Sequence, residues 1–155
     1  MKIIVVEGCD GTGKSTYVSN EKQIGRDCDL QVHSVHIDGK FPNTLKSYEE
    51  LIMSYKCAKT VILIFDRAWI GEFVWSKKFR DGISRISKEE VQLLNDKYDI
   101  EYVMVENTTE KILKVFKERG EDALEHNEKT IIEIQNDFLD VFKTLNITPK
   151  RITLF

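Results

Sequence analysis

Residues 8–15 constrain the fold of this chain more than any others. Gly8-Cys9-Asp10-Gly11-Thr12-Gly13-Lys14-Ser15 satisfies G-x-x-x-x-G-K-[ST] without a substitution, directly after the apolar run Lys2-Ile3-Ile4-Val5-Val6. A short β-branched run that stops at a glycine-rich turn is a strand buried on both faces. A helix is expected from Lys14, fading by Gly25-Arg26. Glycines let such a loop curl so that successive N–H groups point inward at phosphate oxygens, and the helix that follows adds the positive end of its dipole. In that cradle Lys14 reaches the β- and γ-phosphates of ATP, and the Ser15 hydroxyl ligates Mg²⁺. Gly8, Gly11, Thr12, Gly13 and Thr16 complete the candidate nucleotide contacts. Asp10 adds a negative charge where triphosphate must bind, and two readings stay open. It is a turn former bonded to nearby backbone, or it points away from ATP toward an acceptor or a metal-bound water.

The rest of the chain alternates strand and helix patterns. Strands are expected at 30–37, 61–65, 100–105 and 151–155, and helices at 44–55, 69–79, 88–98 and 109–118, the last capped by Thr108 or Thr109. A long helix over 129–145 carries Ile131, Ile134, Phe138, Val141 and Leu145 along one face. Asp38 to Asn43 is a loop by its turn chemistry. This order argues for an α/β parallel sheet covered on both sides, whose ligands sit outside the carboxyl ends of the strands.

At 155 residues the chain fits one domain, 1–155. No apolar run approaches the ~20 residues that span a bilayer. The opening segment meets Glu7 too early for a signal peptide, so membrane insertion and secretion are not expected and a cytoplasmic location is. The net charge of −3 argues against sequence-independent nucleic-acid binding. Three widely spaced cysteines give neither a disulfide framework nor a zinc site.

Asp66-Arg67 closes the strand at 61–65, next to the phosphate loop in the usual parallel arrangement. An Asp there can hold a water of the Mg²⁺ shell, and an Arg can grip an acceptor phosphate through its planar fork. A basic run follows at once, in which Lys77, Lys78, Arg80, Arg85 and Lys88 face only Asp81. It is either a solvated helix face or, through residues such as Arg80, a docking edge for an anionic substrate. Arg119-Gly120-Glu121-Asp122 interrupts two helices. It can supply a lid arginine within a segment near 117–128, a helix C-terminus with Gly120 as its cap, or both. Among the aromatics, Phe41 beside Pro42 is the loop residue placed to stack on a base. Trp69, Phe73 and Trp75 divide between core packing and the substrate side, Trp69 being the candidate contact. His33 and His36 read as strand residues.

Several of these stretches together resemble thymidylate kinase and its phage deoxynucleotide-kinase relatives. The resemblance rests on Val6-Glu7-Gly8-Cys9-Asp10-Gly11-Thr12-Gly13-Lys14-Ser15-Thr16, on Phe41-Pro42, on Phe65-Asp66-Arg67, and on Arg119-Gly120-Glu121-Asp122 with the helix beyond it. It implies a P-loop nucleoside monophosphate kinase fold with strand order 2-3-1-4-5. It also places the acceptor phosphate on Arg67, Asp10 near the acceptor sugar, Asp66 on a Mg²⁺ water and Arg119 in the lid. The stretch from Asp66 to Trp75 is similar to small phage-type members, which makes a virus the expected source and a host cytoplasm the location. Members of the family are commonly dimers, and the resemblance extends a homodimer to this chain as an expectation.

The expected reaction is transfer of the ATP γ-phosphoryl group to a deoxynucleoside monophosphate, a small-molecule nucleotide partner. The alternative is a kinase acting on a hydroxyl of a deoxynucleoside or of a hydroxymethylated base in DNA. That chemistry benefits from a carboxylate base, for which Asp38 is the candidate, and it alone brings nucleic acid in as a partner.

Overall fold

The computed structural model describes residues 1–56, 62–120 and 127–155. Five strands and six helices alternate along it: β1 (Lys2–Glu7), α1 (Lys14–Asp27), β2 (Val32–His36), α2 (Leu45–Lys56), β3 (Ile62–Asp66), α3 (Trp69–Phe79), α4 (Lys88–Lys97), β4 (Ile100–Val105), α5 (Thr109–Glu118), α6 (Glu128–Thr144) and β5 (Lys150–Ile152). The strands form one sheet in the order β2-β3-β1-β4-β5. Each of its four pairings is parallel. This is the α/β P-loop nucleoside-monophosphate-kinase-like fold, with the strand order that the resemblance implied.

The period of two along the strands sorts the core into two layers. Ile3 and Val5 of β1, with Tyr102 and Met104 of β4, face the larger cluster, which helices α2 to α6 cover. Ile4 and Val6, with Val103 and Val105, face a smaller cluster that includes Tyr17 and Val18 of α1. Because both faces of the central strands are buried, residues 3–6 of β1, 62–65 of β3 and 102–105 of β4 are continuously apolar, whereas the edge strands β2 and β5 carry polar and exposed residues.

Local chemistry places the helix starts. Ser87 and Glu90 form a reciprocal capping box on α4, Thr108 caps α5, and Asn127 caps α6. The buried stripe of α6 runs Ile131, Ile134, Phe138 and Phe142, and the C-cap residue Leu145 continues it. Phe142 takes the position expected of Val141, because a step of four from Phe138 stays on the core face while Val141 falls on its flank, half-buried. No helix among the described residues is long and apolar enough to cross a membrane.

Four strands differ from expectation at their ends, β1 running one residue further, to Glu7. β3 runs on to Asp66 because its pairing with β1 reaches Val6↔Asp66 and its pairing with β2 reaches His36↔Asp66. β5 ends at Ile152, where its pairing with β4 stops at Val105. Residues 153–155 leave the sheet, and Phe155 comes to lie against Gly13 of the phosphate loop, while Leu154 packs on the smaller cluster. β2 begins only at Val32, and Leu30 before it is exposed. Val61, the first residue of the expected third strand, lies outside the described residues.

Candidate active site

The phosphate loop runs from the carboxyl end of β1 to the start of α1, and its glycines are steric requirements. A Cβ on Gly8, whose φ is +148°, would lie 2.3 Å from the Val105 carbonyl oxygen. Gly13 at φ +106° is the N-cap of α1 and provides no capping side chain. With no acidic residue in the first turn, the leading N–H groups of α1 have no anionic side chain of their own beside them, which is the electrostatics of an anion site. Thr12 is fully buried and donates from Oγ1 to the Cys9 carbonyl at 2.9 Å. Gly8 and Thr12 therefore shape the loop, while Gly11, Gly13, Lys14, Ser15 and Thr16 line a cavity of about 210 Å³ above it.

Lys14 is folded down into the loop, donating from Nζ to the carbonyls of Gly8 (2.9 Å) and Cys9 (2.8 Å). Burial lowers its pKa, and the nearby Arg67 adds to the effect against Asp10, which opposes it. Burial also pushes the Cys9 thiol up to about 11, leaving it an inert packing group.

Asp10 and Arg67 meet across the mouth of this loop, with Arg67 Nη2 2.6 Å from Asp10 Oδ1. The same oxygen lies 3.7 Å from Lys14 Nζ. Asp10 thus lies between two cations, Arg67 and the loop's own Lys14. Arg67 adopts φ +71°, a left-handed conformation that is costly for a side chain with a Cβ. Its backbone N–H is held by the Val6 carbonyl at 3.0 Å, which ties this turn to the end of β1. Arg67 lines both the phosphate-loop cavity and a second one of about 240 Å³.

Asp66 is buried beside it, with Oδ2 3.1 Å from His36 Nδ1. Its other oxygen, Oδ1, and Nε of Arg67 are buried polar atoms with no hydrogen-bond partner among the described residues. Such orphans are costly in a folded protein, and at the wall of a cavity these two are open to a ligand. With the Ser15 hydroxyl lining the same cavity, Asp66 makes a set of hard oxygen donors that suits Mg²⁺ or its water shell.

Arg119 sits at the C-cap of α5 and also lines the phosphate-loop cavity, while Gly120 at φ +71° turns the chain there. Both roles given to Arg119 are thus compatible. The lid segment's residues 121–126 lie outside the described residues. Arg80 lines the second cavity, as does Arg85. Phe41 and Trp69 are placed differently from expectation. Trp69 is fully buried, edge-on to Tyr48, with its indole N–H donating to the Tyr102 hydroxyl at 3.0 Å, so it has no surface for a substrate. Phe41 packs on Tyr48 at 4.8 Å and Pro42 is exposed, while Ile37, Gly39 and Asn43 of the same region line the cavity. An apolar ring beside the core edge is drawn onto it.

Three residues of the site escape sequence reasoning. His36 pairs with Asp66 only because β2 and β3 are in register. Glu72 is a buried carboxylate in the second cavity, and the sequence shows it as one more polar residue on a helix. Glu7 is 1% exposed, and its Oε1 accepts from the backbone N–H of Ala68 (2.8 Å) and of Gly71 (3.1 Å). It caps α3, whose own N-cap residue, Ala68, has no side chain able to do so. Its place directly before Gly8 was the available signal.

No protein-family model matches the chain, and no curated protein matches it in sequence. Solved structures do match in fold. YorR protein from Bacillus subtilis, determined in complex with phosphorylated GDP, aligns with a TM-score of 0.74 at 18% identity, covering 98% of this chain and 85% of that one. Deoxyadenosine kinase from M. mycoides with bound dATP aligns with a TM-score of 0.58 at 14% identity, covering 97% and 90%. The same kinase with dCMP and a flexible dCDP gives 0.52 at 14% identity, covering 99% and 90%.

Proposed function

We propose that this chain is an ATP-dependent deoxynucleoside monophosphate kinase of the thymidylate-kinase type. The observation that carries the reading is Arg67. This residue belongs to the walls of two cavities, one over the phosphate loop and one lined by Asn43, Trp75 and Arg80. A donor triphosphate in the first and an acceptor monophosphate in the second would meet at that arginine.

An acceptor phosphate oxygen attacks the γ-phosphorus, the bond to the β–γ bridging oxygen breaks, and ADP leaves. The acceptor is already anionic, so no strong base is required and catalysis is positioning plus charge neutralisation. Lys14 leaves its carbonyl partners for the β- and γ-phosphates. Arg67 exchanges Asp10 for the acceptor phosphate, and Arg119 reaches the transferring group from the end of α5. Ser15 and Asp66 would hold Mg²⁺, which would neutralise charge on the donor phosphates when bound. The fold likeness to deoxyadenosine kinase and to a protein solved with a phosphorylated guanine nucleotide is consistent with nucleotide chemistry at these cavities.

Phosphorylation of a hydroxyl is less well supported. Its candidate base, Asp38, is exposed and engaged in its own turn, accepting the Lys40 N–H at 2.9 Å. ADP formation from Mg·ATP, measured alone and with each deoxynucleoside monophosphate, tests the proposal. Stimulation by a monophosphate, with its diphosphate as product, is expected. Stimulation only by nucleosides or by DNA would overturn it.

A further inference from the structure

The second cavity contains polar groups that gripping a phosphate does not use. Glu72, in the first turn of α3, lines it with a side chain only 4% exposed. Its Oε1 accepts from Arg80 Nη2 and from the backbone N–H of Arg85, the latter at 3.0 Å. Both bonds fall on that one oxygen, so Oε2, whose two lone pairs can accept two adjacent donors, is the part of the carboxylate left to a ligand. The Arg80 and Arg85 side chains line the same cavity, and Trp75 adds an aromatic wall. One small space therefore offers a buried carboxylate acceptor and cationic donors side by side.

Nucleobases differ in which can satisfy both. Guanine carries adjacent donors, N1–H and the N2 amino group, and on its other edge the acceptors O6 and N7, which an arginine fork matches. Thymine has a single N3–H between two carbonyl oxygens. Adenine and cytosine place a ring-nitrogen lone pair beside their amino donor, and that lone pair would face the carboxylate. A buried carboxylate set against a lone pair is left unpaired in the complex, which is how a polar pocket rejects the wrong ligand.

We propose that the acceptor is a guanine nucleotide, with Glu72 taking the N1–H and N2 amino donors and Arg80 and Arg85 taking O6 and N7. The proposal rests on the second cavity being the acceptor site, and it names guanine where the thymidylate-type resemblance implies thymine.

Calorimetric titration of the full chain with dGMP, dIMP, dTMP, dAMP and dCMP tests it. Deoxyinosine monophosphate keeps O6, N7 and N1–H but lacks the N2 amino group. The expected result is tightest binding of dGMP, about tenfold over dTMP and about tenfold over dIMP. In Glu72→Gln the gap between dGMP and dIMP closes to about twofold. If that variant does not fold, the five ligands on the unaltered chain decide alone. Tightest binding of any other base, equal binding of dGMP and dIMP, or no binding of any of the five overturns the proposal. Tight dGMP binding without its phosphorylation would instead overturn the kinase reading and leave the base assignment intact.

Discussion

One carboxylate oxygen, Oδ1 of Asp10, lies 2.6 Å from Arg67 Nη2 and 3.7 Å from Lys14 Nζ. It joins the two cations assigned to acceptor and donor phosphates. Incoming phosphates must compete with it, and it also fixes where Arg67 points. Replacing Asp10 with Asn is expected to leave ATP affinity equal or higher. It should lower kcat/KM for the acceptor roughly ten- to a hundredfold through misplacement of Arg67. Because Asp10 and Arg67 are each more than a third exposed, folding stability should shift by less than about 1 kcal/mol. ATP titration beside steady-state kinetics separates these effects; a weaker ATP affinity with unchanged turnover would contradict the role given to Asp10.

Lys14→Ala and Arg67→Ala should each reduce kcat/KM on the order of a thousandfold, as for other preorganised charges on a transition state. Alanine keeps the Cβ and with it the strain at φ +71°, so Arg67→Gly, which relieves that strain, should lose activity in the same way without a parallel loss of stability. Full activity in either variant would remove the roles assigned above.

Glu7 predicts a pH dependence of stability. Burial raises its carboxyl from 4.5 to about 7, against the pull of the two backbone N–H groups it accepts from. Between those values the folded state holds a proton that the unfolded state has released. Stability from this group is therefore present below about pH 4.5, falls as pH rises through 7, and levels off above it. The full effect is on the order of 3 kcal/mol. Thermal melts at pH 5 to 8 should show the melting temperature of the unaltered protein declining relative to Glu7→Gln, which cannot titrate. A constant difference between the two would show that Glu7 does not keep its proton in the fold.

The two tryptophans of α3 should separate packing from binding. Trp69→Ala empties a fully buried site and breaks the bond to Tyr102, costing about 3–5 kcal/mol. Trp75→Ala removes a half-buried cavity wall and should raise the acceptor KM several-fold at a smaller cost in stability. Denaturation curves and acceptor KM values for both variants test this; a larger KM change in the Trp69 variant would reverse the assignment.

Much of the architecture was legible because each element reports itself locally. The run before Gly8, the repeat of apolar residues on α6 and the cap at Thr108 all act within a few residues of themselves. Helices α3 and α5 begin and end where the pattern placed them. Aromatic residues were less legible. Pattern alone cannot say whether a ring such as Trp69 or Phe41 meets a ligand or the core, since both environments reward apolar area equally.

The sequence by itself determined that Gly8 to Ser15 is a glycine-rich turn of the phosphate-loop pattern between a buried strand and a helix. Backbone geometry there requires glycines at fixed steps, and Lys14 and Ser15 follow them by covalent spacing alone. Tertiary structure decided what surrounds that turn. The parallel register of β1 with β3 carries Arg67 to Asp10, 57 positions away in the chain. The register of β2 with β3 sets His36 beside Asp66. The packing of α3 under the end of β1 makes Glu7 the cap of a helix that begins 62 positions later and faces Glu72 into a cavity with Arg80 and Arg85. Contacts of that separation depend on hydrogen-bond register and core packing summed over the whole sheet, which no local run of residues encodes.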